Sequence, residues 1–231
     1  MEAGKTGVLY DPLTLLHCCS RYHPERPQRV ESIIAHLQQK NYLKHPRVDF
    51  VEKLKEAPLE LIGLVHSKKY IDNVNKLLGE GNARSHIMVL DTYYNKHSRA
   101  ASQLAVGGVI EGLDNIQTGK WRNAFAIVRP PGHHSGARNT INGFCVYNNV
   151  AIGIQYLRTK YNINRIAVFD WDVHHGDGTQ HLFKEDPNLL FISLHRHDRG
   201  SFYPGDSGSH TNVGNGPAEG KQINIPWNTT N

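Results

Sequence analysis

The stretch RIAVFDWDVHHGDGT, residues 165–179, sets a short apolar run directly against a cluster of acid–base and metal-type side chains. Residues 165–169 read as a buried strand that ends at Asp170. Asp170, Asp172 and His174 then stand two apart, so in an extended chain they share one face. Carboxylate oxygen and imidazole nitrogen suit Zn²⁺, and a catalytic zinc has three protein ligands and one open position. The plainer reading is that these groups end a strand and cap the next helix, which leaves the alignment of two carboxylates and a histidine unexplained.

Working outward, residues 124–128 form a second short strand that runs into Arg129-Pro130-Pro131-Gly132, and residues 189–193 a third that ends near Leu194 and His195. A helix-like segment at 149–161 separates the first two. Upstream, residues 6–10 read as a strand, and Pro27 opens a helix through Val30, Ile33, Ile34 and Leu37. Ser67 can cap a helix carrying Tyr70, Ile71, Val74, Leu77 and Leu78. Residues 100–116 are apolar at helical spacing, although Gly107-Gly108 weakens that reading. Strands alternating with helices predict an α/β fold with a parallel sheet, whose ligands bind beyond the carboxyl ends of the strands. The polar residues of interest sit at those ends.

Two further segments bear on chemistry. In RPPGHH, residues 129–134, a rigid Pro-Pro-Gly turn holds His133 and His134 just after a strand. Adjacent histidines alone mean little in a chain with 15 of them. Neutral histidine is a general base near pH 7, and a carboxylate can orient it; Asp170 and Asp177 are candidates for that partner. NGFCVYNN, residues 142–149, supplies glycine for close backbone approach and aromatics for an apolar wall, and taken alone it reads as ordinary packing.

The 231 residues suffice for one domain with a substantial core, and 39% hydrophobic with 20% charged residues fits a globular protein. No apolar run reaches the roughly 18 residues of a membrane span. The start runs straight into a strand with no secretory leader, and Cys18, Cys19 and Cys145 make a poor disulfide framework; both favour the cytosol or nucleus. The net charge of +5 comes from scattered basic residues, so no direct nucleic-acid partner is expected.

Taken together, RPPGHH (129–134), GFCVYNNVAI (143–152), FDWDVHHGDGTQ (169–180) and FISLHRHD (191–198) resemble the zinc-dependent histone deacetylases, class II in particular. HPERPQR (23–29) and LVHSKKYI (64–71) match the same family. The resemblance implies an arginase-like α/β fold with a mainly parallel central sheet flanked by helices, and hydrolysis of N-acetyl-lysine amides in histones or other proteins. It implies Asp172 and His174 as zinc ligands, His133 paired with Asp170, and His134 paired with Asp177. His134 would transfer protons and His133 stabilise charge. Asp91, Gly143, Phe144 and Tyr203 would contact substrate, Tyr203 being a departure from the phenylalanine of many relatives. Asp170, Asp172, His174, Ser193 and Leu194 resemble the family's K⁺ site. Animal class IIa relatives carry a second zinc, for which His17, Cys19, His23 and His86 are the corresponding residues; a solvated loop with one buried cysteine is the alternative. The family's setting implies chromatin regulation and transcription repression with corepressor partners, in the nucleus or cytoplasm, with no membrane.

The third zinc ligand and the oxyanion donor of the family do not occur before Asn231. Residues 1–231 are therefore expected to form one partial catalytic domain, incomplete at the C-terminus, with an uncovered sheet edge and little or no activity by itself. The family also contains acetylpolyamine deacetylases, and a catalytically dead module that binds acyl-lysine or a partner is the reading from outside enzymology.

Overall fold

The computed structural model describes residues 4–80, 87–89, 91–136 and 140–229. Strand β1 (Lys5–Leu9) lies between β2 (Val48–Val51) and β5 (Trp121–Ala126), both parallel to it. A second parallel sheet has the order β6 (Ile166–Asp170), β7 (Leu189–Arg196), β8 (Gln222–Trp227). β3 (Ile87–Val89) and β4 (Thr92–Tyr94) form an antiparallel hairpin. The helices are α1 (Gln28–Gln39), α2 (Leu59–Ile62), α3 (Lys68–Glu80), α4 (Ser98–Gln117), α5 (Asn149–Tyr161) and α6 (Asp177–Phe183).

Period-two alternation on β1 places its neighbours on opposite faces. Val8 packs with Val30 and Ile34 of α1, whereas Leu9 packs with Leu104 of α4 and with Trp121. α3, α4 and α5 meet in a third cluster built on Val74, Val106, Ile110 and Ile152. α5 and α6 cover one face of β6–β7 through Ala151, Ile154, Phe183 and Leu189.

The expected α/β architecture with parallel strands is present. Its parallel strands, however, fall into two sheets of three, because among the described residues no strand bridges β5 and β6. The far face of the second sheet is also open. Phe169, Ile192 and Ile223 are in register across it, Leu194 pairs with Ile225, and Phe169, Ile223, Ile225 and Trp227 are all exposed. Parallel sheets are ordinarily covered on both faces.

Candidate active site

Segments from and beyond three strands meet here. β5 leads through residues 127–132 to His133 and His134, β6 delivers Asp170, and β7 carries Ser193 and Leu194. The start of α6 is clamped against the histidine pair. Thr179 N–H donates to the His133 carbonyl at 3.1 Å, and a Cβ on Gly178 would come within 2.5 Å of the His134 carbonyl carbon. Only glycine allows that approach.

His133 Nδ1 donates to Asp170 Oδ2 at 2.8 Å, and His134 Nδ1 to Asp177 Oδ1 at 2.6 Å. The two rings lie 4.1 Å apart. Burial pushes both imidazoles down. At His133 the carboxylates of Asp170, Asp172 and Asp177 outweigh burial and the pKa rises; at His134 burial prevails over Asp177, and the neighbouring His133 adds to the fall. The two imidazoles are thus pushed in opposite directions, the kind of divergence that separates acid–base roles.

The extended run anticipated over 170–174 is not formed. β6 stops at Asp170, and the chain turns because Asp172 N–H donates to Asp170 Oδ1 at 3.1 Å and His174 N–H to Asp172 Oδ1 at 2.8 Å. Asp170 is thereby turned to His133, while Asp172 and His174 stay open to solvent. Asp172 Oδ1 lies 3.1 Å from His174 Nδ1 and 3.9 Å from His133 Nε2. Burial raises the Asp172 carboxyl, but His174 and His133 outweigh it and bring its pKa down to about 2. Two ligands about 2.0–2.1 Å from a tetrahedral ion are roughly 3.3 Å apart, so this oxygen and nitrogen fit a Zn²⁺ as two members of its set. Among the described residues no group of three or more metal-type side chains is assembled. Asp198 is occupied by Arg196 and Thr229, and Asp206 faces His197 at 3.6 Å.

Around this centre, Asp91 Oδ1 accepts the Gly143 N–H at 2.8 Å and Thr92 Oγ1 accepts the Phe144 N–H at 3.0 Å. These bonds hold Gly143 and Phe144 in the left-handed region, with φ of 55° and 66°. The Tyr203 ring meets His134 edge-on at 5.0 Å and His174 at 5.9 Å, and Asn142 Nδ2 donates to its hydroxyl at 3.0 Å. Ser193 pairs in register with Asp170, and its hydroxyl lies 2.9 Å from His195 Nδ1.

Of the residues that correspond to a second zinc, His17, Cys19 and His23 form no metal-type group among the described residues. His17 Nδ1 is bonded to Ser98 Oγ at 2.7 Å, and His23 Nε2 to the Asp91 carbonyl at 3.1 Å. Cys19 joins no metal-type group among the described residues, and His86 lies outside them.

Four neighbours of the candidate site were not singled out in the sequence reading. Thr92 and Asn142 sit one residue from noted positions, and Phe202 stacks on His174. Arg129 is fully buried and bonds Glu25 through Nε at 2.9 Å and Nη2 at 2.7 Å. Opposite charges inside HPERPQR and RPPGHH were the available signal for that pair.

The histone deacetylase domain family matches residues 23–231. Human histone deacetylase 9 is 42% identical over 248 residues, an alignment covering 96% of this chain and 24% of the relative. Histone deacetylase clr3 of Schizosaccharomyces pombe is 38% identical over 236 residues, covering 96% of this chain and 34% of clr3. The crystal structure of the HDA15 HD domain superposes with a TM-score of 0.87 at 35% identity, covering 97% of this chain and 62% of that one. The chain thus spans about a quarter to a third of the length of these curated relatives.

Proposed function

The chain belongs to the histone deacetylase family, and from that we propose that residues 1–231 form the greater part of one zinc-dependent protein-lysine deacetylase domain. The observation that carries this reading is the pair of histidine–carboxylate couples, His133–Asp170 and His134–Asp177, beside the converging Asp172 and His174. The substrate is an N-acetyl-lysine amide of a histone or another protein, cleaved by water to acetate and the free amine.

Asp172 and His174 would hold Zn²⁺, which when bound polarises the amide carbonyl and lowers the pKa of water. His134 commits Nδ1 to Asp177, so its Nε2 is the atom that accepts a proton from the attacking water and later delivers one to the lysine amine. His133, whose pKa Asp170 holds above the ordinary imidazole value, stabilises the negative charge that develops on the oxyanion. The Gly143 carbonyl accepts the substrate amide N–H, Phe144 and Tyr203 flank the lysine stem, and Asp91 meets the substrate backbone at the rim. Asp170, Asp172, His174, Ser193 and Leu194 would hold K⁺. The setting is the nucleus or cytoplasm, with corepressor proteins as partners. No helix among the described residues is long and apolar enough to cross a membrane.

A second reading, a module that binds acyl-lysine without hydrolysing it, is favoured by the convergence of only two metal-type donors among the described residues. Zinc content and hydrolysis of an acetyl-lysine peptide separate the two. With the whole protein, His134→Ala should keep its zinc and lose about 10²–10⁴ in rate, whereas Asp172→Ala should lose zinc. Near-normal turnover in His134→Ala would refute the deacetylase assignment of that residue; bound peptide with no turnover in the unmodified protein would establish the second reading.

A further inference from the structure

His174 sits in a bend between β6 and α6, where no ladder of backbone bonds fixes its ring. Rotation about the last torsion of a histidine is soft, because sp³–sp² torsions have broad wells. A half-turn would carry Nδ1 away from Asp172 Oδ1 and leave a carbon in its place. What opposes the half-turn lies on the face of the ring. Phe202 is stacked on His174 with centroids 5.1 Å apart and planes only 9° from parallel. Rotation about Cβ–Cγ sweeps the imidazole out of its own plane, straight into that phenyl ring.

Phe202 is itself held. The Arg196 guanidinium carbon lies 4.2 Å over the Phe202 ring centroid. Arg196 Nε and Nη2 both donate to Asp198 Oδ2 at 2.5 Å, and Asp198 accepts from the Thr229 N–H at 2.7 Å and its hydroxyl at 3.0 Å. The Arg196 N–H also donates to the Val173 carbonyl at 2.9 Å. One residue at the end of β7 thus secures both the main chain beside His174 and the ring stacked on it.

We infer that Phe202, backed by Arg196, is a positioning residue that aims His174 Nδ1 at the ion shared with Asp172. This rests on the zinc reading above, and it assigns work to two side chains outside the proposed set of metal ligands. Outer contacts that orient a ligating histidine usually do so by hydrogen bonds and are worth 10–100-fold in metal affinity; here the device is an aromatic stack.

The test uses the whole protein with Zn²⁺ alone, titrated against a chromophoric chelator, together with NMR of histidine labelled with ¹³C and ¹⁵N. Phe202→Leu, which keeps bulk and loses the flat ring, should weaken Zn²⁺ binding about 10-fold, and Phe202→Tyr should restore it. Arg196→Gln should weaken binding in the same direction. In metal-free protein, the His174 ring protons should lose their ring-current shift in Phe202→Leu and keep it in Phe202→Tyr. A variant that merely loosens the fold would lower the melting temperature without that rescue pattern. If Phe202→Leu fails to fold, Arg196→Gln, at a partly exposed position, decides. Wild-type affinity in the folded variants overturns the positioning role and leaves the zinc reading intact. Zinc binding that ignores Asp172→Ala and His174→Ala overturns both.

Discussion

Arg129 illustrates what a single residue can and cannot reveal in advance. The motif RPPGHH is legible because its histidines carry recognisable chemistry, but the arginine that opens it looks like any surface cation. In the fold it is fully buried, bidentate to Glu25 from 104 positions away, and bonded also to the Thr14 carbonyl at 2.6 Å and the Tyr93 hydroxyl at 2.7 Å. Nothing local names such a partner, because the cost of burying either charge is met mainly by the other. The pair braces the segment that presents His133 and His134. Arg129→Met should therefore destabilise the protein by about 3–5 kcal/mol in urea titrations, since it strands the Glu25 carboxylate. Arg129→Met combined with Glu25→Leu should recover much of that loss. Equal losses in the single and double variants would mean that the stranded charge is not the cause.

At the scale of elements, helices were the more legible, and their limits have chemical reasons. α5 runs over the anticipated residues because Asn148 Oδ1 accepts the Ala151 N–H at 3.0 Å at one end and Asn162 turns left-handed at the other, with φ of 55°. β8 went unread because its pattern is inverted. Gln222 and Asn224 point inward and donate to the Phe183 carbonyl at 3.0 Å and Gln180 Oε1 at 2.7 Å, while Ile223 and Ile225 point out. β2 and the β3–β4 hairpin are three or four residues long, too short for period two to register. In α4, Gly107-Gly108 read as a weakness, yet a Cβ on Gly107 would come within 1.8 Å of the Lys55 carbonyl oxygen. The glycine is what lets the segment at residue 55 lie against the helix. Helix propensity alone favours Gly107→Ala by about 1 kcal/mol; the backbone clash should reverse the sign and cost about 1–3 kcal/mol. A rise in melting temperature for Gly107→Ala would show that the two segments separate easily.

For the molecule as a whole, the alternation of strands and helices made the α/β class legible, since it follows from patterns a few residues long. The division into two sheets and the bare apolar face of β6–β8 are properties of long-range pairing, which no local pattern encodes. Long-range packing also buries histidines that the proposed chemistry does not use, and this gives the fold an acid-side weakness. Burial takes His17 down to about 3, with Arg129 and His23 adding to the fall and Glu25 opposing it, and burial takes His66 down to about 4. His66 Nε2 accepts the Asn148 N–H at 2.9 Å, so the ring must be unprotonated there to hold the start of α5. Both folded-state values lie below the ordinary 6.5, so the unfolded chain binds more protons as the pH falls. Their contribution is complete above about pH 6.5 and is lost on the way down towards 4 and below. His133, which is raised, contributes with the opposite sign: its share is present below about 6.5 and fades as the pH rises. With five lowered histidines, His17, His66, His134, His175 and His195, against one raised, stability should fall on acidification, by about 2 kcal/mol for each of His17 and His66 at pH 5. Urea midpoints at pH 7.5, 6.5, 5.5 and 5.0 measure the fall, and His66→Gln, which cannot take up the proton, should flatten it by about one proton's worth of slope. A stability that is level from pH 7.5 to 5.0, or a slope that His66→Gln leaves untouched, would mean that water reaches these rings in the folded protein.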